Sequence, residues 1–340
     1  MNPRATLLTS LVLLCSVSAG PAGGQSTAPL AAVVRDAAAL APLETLIVAR
    51  DGSVLVEEGF RGHSTTAATN IKSASKTIVA ALVGIAIDKG VLTGTAQKIA
   101  PLLHDKLPAR PDPRIHDITL GNLLSMQAGL GRTSGPNYGP WVASNDWVRA
   151  ALARPFAGEP GGGMLYSTGN SHLLSAILTR ATGRSTLALA RDWLAPLEGF
   201  AIADWMRDPQ GIYFGGNQMA MTPRSMLAFG ELFRNGGRAG GTQVLSQAWI
   251  AESWKPRTQS VFHDDLYGYG WFLTEMADQP VRYAWGYGGQ MIYVVPELGL
   301  TAVMTSGSDR PSARSGHRDD LHALMRRIVA AVRAGTAATD

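Results

Sequence analysis

The chain reads as an α+β protein: an antiparallel sheet flanked by an N-terminal and a C-terminal helix, with an all-helical lobe inserted between early and late strands. Three observations predict this. Strand-like runs fall in two separated blocks, one at residues 45–58 and one after Asp265. Between Val91 and about Pro223 the pattern is helical, broken by Gly/Pro loops, with little strand signal. The stretch Ile71–Ile87 opens on polar residues and then turns apolar on nearly every side, as expected of a helix with no solvent face inside a sizeable domain.

The sequence has 340 residues, 46% hydrophobic and 16% charged, a globular composition large enough for one big domain. Its net charge is +4, but arginines and acids are interspersed and no basic run is interleaved with aromatics, so no nucleic-acid partner is expected. Met1–Arg4 makes a short positive start, and Leu7–Val17 is an apolar run too short to span a bilayer. Small residues at Val17-Ser18-Ala19 suit a signal peptidase. Residues 1–19 therefore read as a signal peptide and residues 20–27 as a linker. Cys15, the single cysteine, falls inside that segment, and Leu14 before it argues against lipid attachment. The expected mature chain is exported, to periplasm or medium, without a membrane span. It excludes disulfides, thiol catalysis and cysteine-ligated metals.

Taken in order, residues 28–40 read as a short amphipathic helix, and 45–50 with 53–58 as a hairpin on the two-residue Asp51-Gly52 turn. A polar loop leads into the Ile71–Ile87 helix, which stops at Lys89-Gly90, a cation followed by a C′ glycine. Shorter helices follow at 119–126, 145–153 and 170–182, the last ending at Gly183. Thr222 caps another, with Pro223 at its first position and Asn235-Gly236-Gly237 at its end, and 245–254 is helical as well. Strands are expected at 267–274, 281–285, 290–295 and 300–305, and a helix from about 314 to 333 closes the chain. Residues 28–340 then form a single domain. Its α/β lobe takes about 28–72 plus 224–340, and its helical lobe about 73–223. The Ile71–Ile87 helix lies at the junction, where clefts form.

Several hydrolytic chemistries lack their residues. There is no Gly-x-Ser-x-Gly elbow and no His-Glu-x-x-His; His317 and His322 have the wrong spacing for one helix face and read as surface histidines. No pair of acids stands out for a glycosidase. What remains is serine chemistry that does not need histidine. Ser73 is the only serine followed three positions later by a lysine, and i,i+3 sets Ser73 and Lys76 side by side on one helix face. A lysine in a dry cleft can serve as base once its pKa falls. The plainer alternative makes Ser73 or Ser75 an N-cap and Lys76 a surface residue. A second hydroxyl to relay the proton is offered by the loop Gly161–Asn170, with Tyr166 beside Ser167 and Thr168, although Tyr166 also suits an aromatic plug. Gly288 and Gly289 between two β-runs mark either an ordinary turn or a close approach of another molecule, where a backbone N–H could bind an oxyanion.

Together, Ser73-Ala74-Ser75-Lys76, Tyr166-Ser167-Thr168 and Tyr287-Gly288-Gly289 resemble, in order, the three motifs of the penicillin-recognising serine hydrolases. The chain is most similar to their class C β-lactamase branch, which includes DD-peptidases, secreted esterases and 6-aminohexanoate-dimer hydrolases. The likeness extends to Ile118–Leu130 and Tyr267–Trp271, and so over essentially the whole mature chain. It implies a β-lactamase/transpeptidase-like fold, no metal, no organic cofactor, and a small-molecule or peptide-like acyl substrate. It also implies that Ser73 is acylated, that Lys76 is its base, and that Tyr166 shuttles the proton. The oxyanion hole would be the backbone N–H groups of Ser73 and Gln290.

Two positions depart from the family pattern. Thr168 stands where the second motif usually ends in asparagine, with Asn170 close by but out of register. Tyr287 stands where the third usually begins with lysine or histidine, and a phenol offers no positive charge to a substrate carboxylate. Both favour an esterase or amidase acting on a less acidic acyl donor. They also leave open a binding or sensor protein on the same scaffold, acylated slowly or not at all. Tyr138 and Trp141 suit either the acyl pocket or loop packing.

Overall fold

A computed structural model describes residues 28–337, so the expected signal peptide and linker lie outside the described residues. Helix α1 (Ala28–Ala39) leads into the hairpin β1 (Leu43–Arg50) and β2 (Ser53–Gly59). Its turn residues Asp51 and Gly52 both have positive φ, as a two-residue hairpin turn requires. After β3 (Thr69–Asn70) come the 3-10 turn Lys72–Ala74 and the central helix α2 (Ser75–Asp88). The middle of the chain holds α3 (Leu120–Leu124), α4 (Tyr138–Val142), α5 (Trp147–Leu152), α6 (Thr168–Thr182) and α7 (Thr186–Trp193). Short strands β4 (Asp204–Trp205) and β5 (Met219–Met221) precede α8 (Pro223–Arg234), the small hairpin β6 (Arg238–Ala239) and β7 (Thr242–Gln243), and α9 (Gln247–Ser253). Then come β8 (Thr258–Gln259), β9 (Leu266–Tyr267), β10 (Phe272–Met276), β11 (Gln279–Gly286), β12 (Gln290–Val295) and β13 (Leu300–Ser306). Helices α10 (Ser312–Ser315) and α11 (His317–Ala337) end the described chain.

The main sheet has eight strands in the order β2-β1-β13-β12-β11-β10-β9-β8, so the early hairpin and the late meander join through the β1–β13 pair. This is the α+β fold expected from the sequence. One sheet face is covered by α1 and α11, where Val33 and Ala37 meet the stripe Leu321, Leu324, Met325, Ile328 and Val332. The other face is covered by α8 and α2. Every residue from Ser75 to Ala86 is buried, so α2 has no solvent face, as its sequence pattern requires. No helix among the described residues is long and apolar enough to cross a membrane.

The structure departs from the expected elements at several points. Residues 267–274 are not one strand. Gly268 N–H bonds the Trp271 carbonyl, Tyr267 pairs with Phe272, and the segment folds into the tight β9–β10 hairpin. Gly270, at φ +82°, makes the turn and lies against α2, where a Cβ would stand 3.1 Å from Ala80 Cβ. The last helix is interrupted by Gly316 in the left-handed region. His317 and His322 are not surface residues: His317 Nε2 is 2.9 Å from Ser306 Oγ, and His322 packs edge-on against Tyr283 and Tyr293. Burial holds the His322 pKa down at about 4. The elements α7, β4 and β5 carry no clear signal in the sequence.

Candidate active site

Ser73 sits on the 3-10 turn that enters α2. Lys72 before it has φ +52°, a conformation costly for a residue with a Cβ, and its N–H is held by Asn70 Oδ1 at 3.0 Å. Neither Ser73 nor Ser75 caps the helix; Ser75 Oγ donates to the Lys72 carbonyl instead. Lys76 is buried, with Nζ 3.0 Å from Ser73 Oγ, 2.7 Å from the Gly216 carbonyl and 3.5 Å from Thr168 Oγ1. All three partners are uncharged, and burial pulls the Lys76 pKa down to about 7. A neutral amine has two N–H groups for Gly216 and Thr168, and a lone pair for the Ser73 hydroxyl.

Tyr166, on the loop before α6, is buried, with its phenol beside Ser73. Burial pushes its pKa up to about 12, the nearby Ser73 opposing it, so the phenol is neutral at ordinary pH. Lys76 Nζ stands 5.1 Å from the ring centroid. The helix after it starts two residues earlier than its periodicity suggests, because its first N–H groups are capped from elsewhere. Thr168 N–H donates to Ser134 Oγ at 2.9 Å and Gly169 N–H to Thr133 Oγ1 at 2.7 Å. Ser134 Oγ also lies 3.0 Å from Thr168 Oγ1, so Thr168 is held toward Lys76. Asn170 is buried in the first turn of α6, its N–H bonded to the Ser167 carbonyl.

The third wall is the end of β11 and its turn. Pairing with β10 stops at Tyr283, which leaves the later edge of β11 free beside Ser73. Gly286 pairs with Gln290 across the hairpin, and its carbonyl accepts the Gly289 N–H at 3.0 Å. Backbone polar groups of successive strand residues point to opposite edges, so the Gln290 backbone faces Gly286 inside the hairpin. Its buried side chain bonds Ser306. Gln290 is therefore turned away from the cleft, and the turn residue on the free edge is Tyr287. The sequence pattern missed this because the direction of a backbone N–H follows from strand register.

These walls enclose a cleft of about 550 Å³, lined by Ser73, Tyr166, Phe262, Trp285, Tyr287 and Arg314 among others. Phe262 packs edge-on against Tyr166 at 5.0 Å and Trp285 at 5.5 Å, and Arg314 is the one ionised side chain in the lining. Neither Tyr138 nor Trp141 lines it. Trp141 is buried against Trp147 and Phe214, and the Tyr138 hydroxyl accepts from Asn217. A larger groove of about 680 Å³ beside β2 and α8 contains no nucleophile–base pair, so chemistry rather than size selects the smaller cleft. Gly216, Ser134, Phe262 and Arg314 carried no local signal, since each reaches the site from a part of the chain distant in sequence.

A family profile described as Beta-lactamase matches residues 37–325. The chain belongs to the beta-lactamase family. Members of that family are serine hydrolases, among them esterases, amidases and DD-peptidases. Among curated proteins, none matches this beta-lactamase-family chain. Its fold is shared with EstCE1, a hydrolase with promiscuous acyltransferase activity, at TM-score 0.71 and 17% identity over 91% of this chain and 100% of that one. It is shared as well with a family VIII carboxylesterase, at TM-score 0.66 and 18% identity over 87% and 97%. A penicillin-binding protein homologue from Caulobacter crescentus also matches, at TM-score 0.66 and 20% identity over 82% and 91%. At these identities the likeness concerns the fold.

Proposed function

We propose that this protein is an exported serine hydrolase that cleaves an ester or amide bond through a covalent acyl-enzyme on Ser73. The observation that carries this is the buried Lys76 amine, 3.0 Å from Ser73 Oγ, with only uncharged partners and a pKa near 7. Lys76 takes the Ser73 proton as Oγ attacks the carbonyl carbon. The developing oxyanion is met by the backbone N–H groups of Ser73 and, from the free edge of β11, Tyr287. The proton then passes by way of the Tyr166 phenol to the leaving alcohol or amine, which leaves Lys76 neutral and Tyr166 protonated in the acyl-enzyme. Water attacks next, its proton following the same route back, and Ser73 recovers its hydrogen as the acid departs. With pKa near 12, Tyr166 acts as a conduit rather than a standing base.

The aromatic lining favours an acyl donor with apolar parts, and with Tyr287 uncharged Arg314 is the one cation in the lining to meet an acidic group. Export rests on residues 1–19 alone. Thr168 in the usual asparagine place supports one other reading, a scaffold that is acylated without turnover. Incubation with a fluorophosphonate, a chromogenic ester and a chromogenic cephalosporin, followed by mass and absorbance, separates the two. Turnover of the ester with an adduct on Ser73 is expected; a stable adduct without turnover supports a sensor, and no adduct sinks both.

A further inference from the structure

The Lys76 acceptor Gly216 lies on the loop between β4 and β5, and one buried pair ties that loop to α6. His172, one turn beyond Thr168, has no solvent exposure and is boxed by Trp141, Trp147 and Phe214 at centroid distances of 5.8, 5.5 and 5.8 Å. Its Nε2 lies 3.0 Å from Asp208 Oδ2, and the Asp208 side chain is fully buried too. Asp208 Oδ1 accepts the N–H groups of Gln210 at 2.8 Å and Ile212 at 2.9 Å, which closes the loop tip on the carboxylate. On its other side, His172 Nδ1 accepts the Gly215 N–H at 3.4 Å. These roles leave one tautomer, with the proton on Nε2 and the acceptor on Nδ1.

From this geometry we infer that His172 and Asp208 are positioning residues that clasp the 206–218 loop, so that Gly216 presents its carbonyl to Lys76 and seals water from the amine. The inference rests on the proposed role of Lys76 as base. Two close approaches show why the clasp matters. A Cβ at Gly215 would stand 2.1 Å from the Ser171 carbonyl, and one at Gly216, which has φ +80°, would stand 2.6 Å from Lys76 Cγ. The loop backbone is thus pressed onto both α6 and the lysine stem. Its far end is tied to the nucleophile: Gln218 accepts from Asn70 Nδ2, and Asn70 Oδ1 holds the N–H of Lys72. Facing Lys76 are Ser73 and the Tyr166 ring across the cleft, Thr168 from α6 and Gly216 from the loop, with His172 and Asp208 standing behind the loop.

Asp208→Asn tests this with little change of shape. The Gln210 and Ile212 N–H groups keep the amide oxygen, so its NH2 faces Nε2 and donates; the imidazole must then move its proton to Nδ1 and meet the Gly215 N–H donor to donor. His172→Phe keeps the aromatic box and removes both bonds, while His172→Asn retains an acceptor near Nδ1. Loosening the loop by an ångström is expected to slow fluorophosphonate labelling and kcat/KM at pH 7 by about tenfold to a hundredfold in Asp208→Asn and His172→Phe. Water reaching the amine should move the acid limb of the pH profile up by at least about one unit, with most of the rate restored in His172→Asn. Labelling the chain's lysines with 13C and titrating the Lys76 Cε resonance reads the same shift without activity. If folded Asp208→Asn or His172→Phe keeps the wild-type titration, or His172→Asn shifts as far as His172→Phe, the clasp is overturned. A wild-type protein that is never labelled fails the proposed reaction instead, and the titration still decides the clasp.

Discussion

Lys76 Nζ stands 3.0 Å from Ser73 Oγ while its hydrogen-bonding shell contains no charge. An amine in a dry shell without a counter-ion prefers to be neutral, and a neutral amine has a lone pair to offer a neighbouring hydroxyl.

The first prediction is a pH profile. As the proposed base Lys76 must be unprotonated, and its pKa is pulled down to about 7, so kcat/KM should rise through pH 7 and level above it. Tyr166, held near 12, imposes no alkaline limb in the range where the protein is assayed. A profile flat from pH 5 to 9 would count against Lys76 as base. Lys76→Arg, always charged, should be inactive at every pH.

Lys76 also costs stability. Its folded pKa lies below the ordinary 10.5 because burial disfavours the ammonium, so the unfolded chain binds more protons between about 7 and 10.5. The penalty is complete below pH 7 and relieved as pH rises toward 10.5. Lys76→Met should therefore be more stable than wild type by about 2–4 kcal/mol below pH 7, the gain fading near pH 10. Urea denaturation at three pH values measures it.

Tyr166→Phe removes the phenol proposed as proton conduit and leaves the ring packing against Phe262 and Tyr267 in place. Turnover of an ester should fall by roughly 10²–10⁴-fold with little loss of stability. Steady-state rates beside a thermal melt check this; a mutant within twofold of wild type would remove Tyr166 from the mechanism.

Tyr287 is about half exposed at the mouth of the cleft. Tyr287→Lys restores a positive charge there and should raise kcat/KM for a carboxylate-bearing cephalosporin by about tenfold, leaving a neutral ester nearly unchanged. The ratio of the two rates is the readout, and high salt should reduce it.

Phe262 forms an apolar wall beside Tyr166 and Trp285. Phe262→Ala should cost about 1–3 kcal/mol of transition-state binding for short apolar acyl chains and shift preference toward longer ones. A chain-length series of chromogenic esters tests it.

Much of this protein is written locally in its chain. The i,i+3 spacing that puts Lys76 beside Ser73, the all-round apolar run of α2 and the Asp51-Gly52 turn are each decided within a few residues, because helix and hairpin geometry is short-ranged. The two blocks of strands and the final helix likewise announce the sheet and its cover. Tertiary structure decided what depends on distant partners. It brought Gly216 to Lys76 across 140 residues, capped α6 with Thr133 and Ser134, and buried His317 and His322. It also turned Gln290 into the hairpin and left Tyr287 on the open edge, since register sets which N–H faces the cleft. The Ser73–Lys76 pair was legible because its members lie one helical turn apart; the buried, uncharged surroundings of Lys76 were not, because they are built by loops that meet only when the chain has folded.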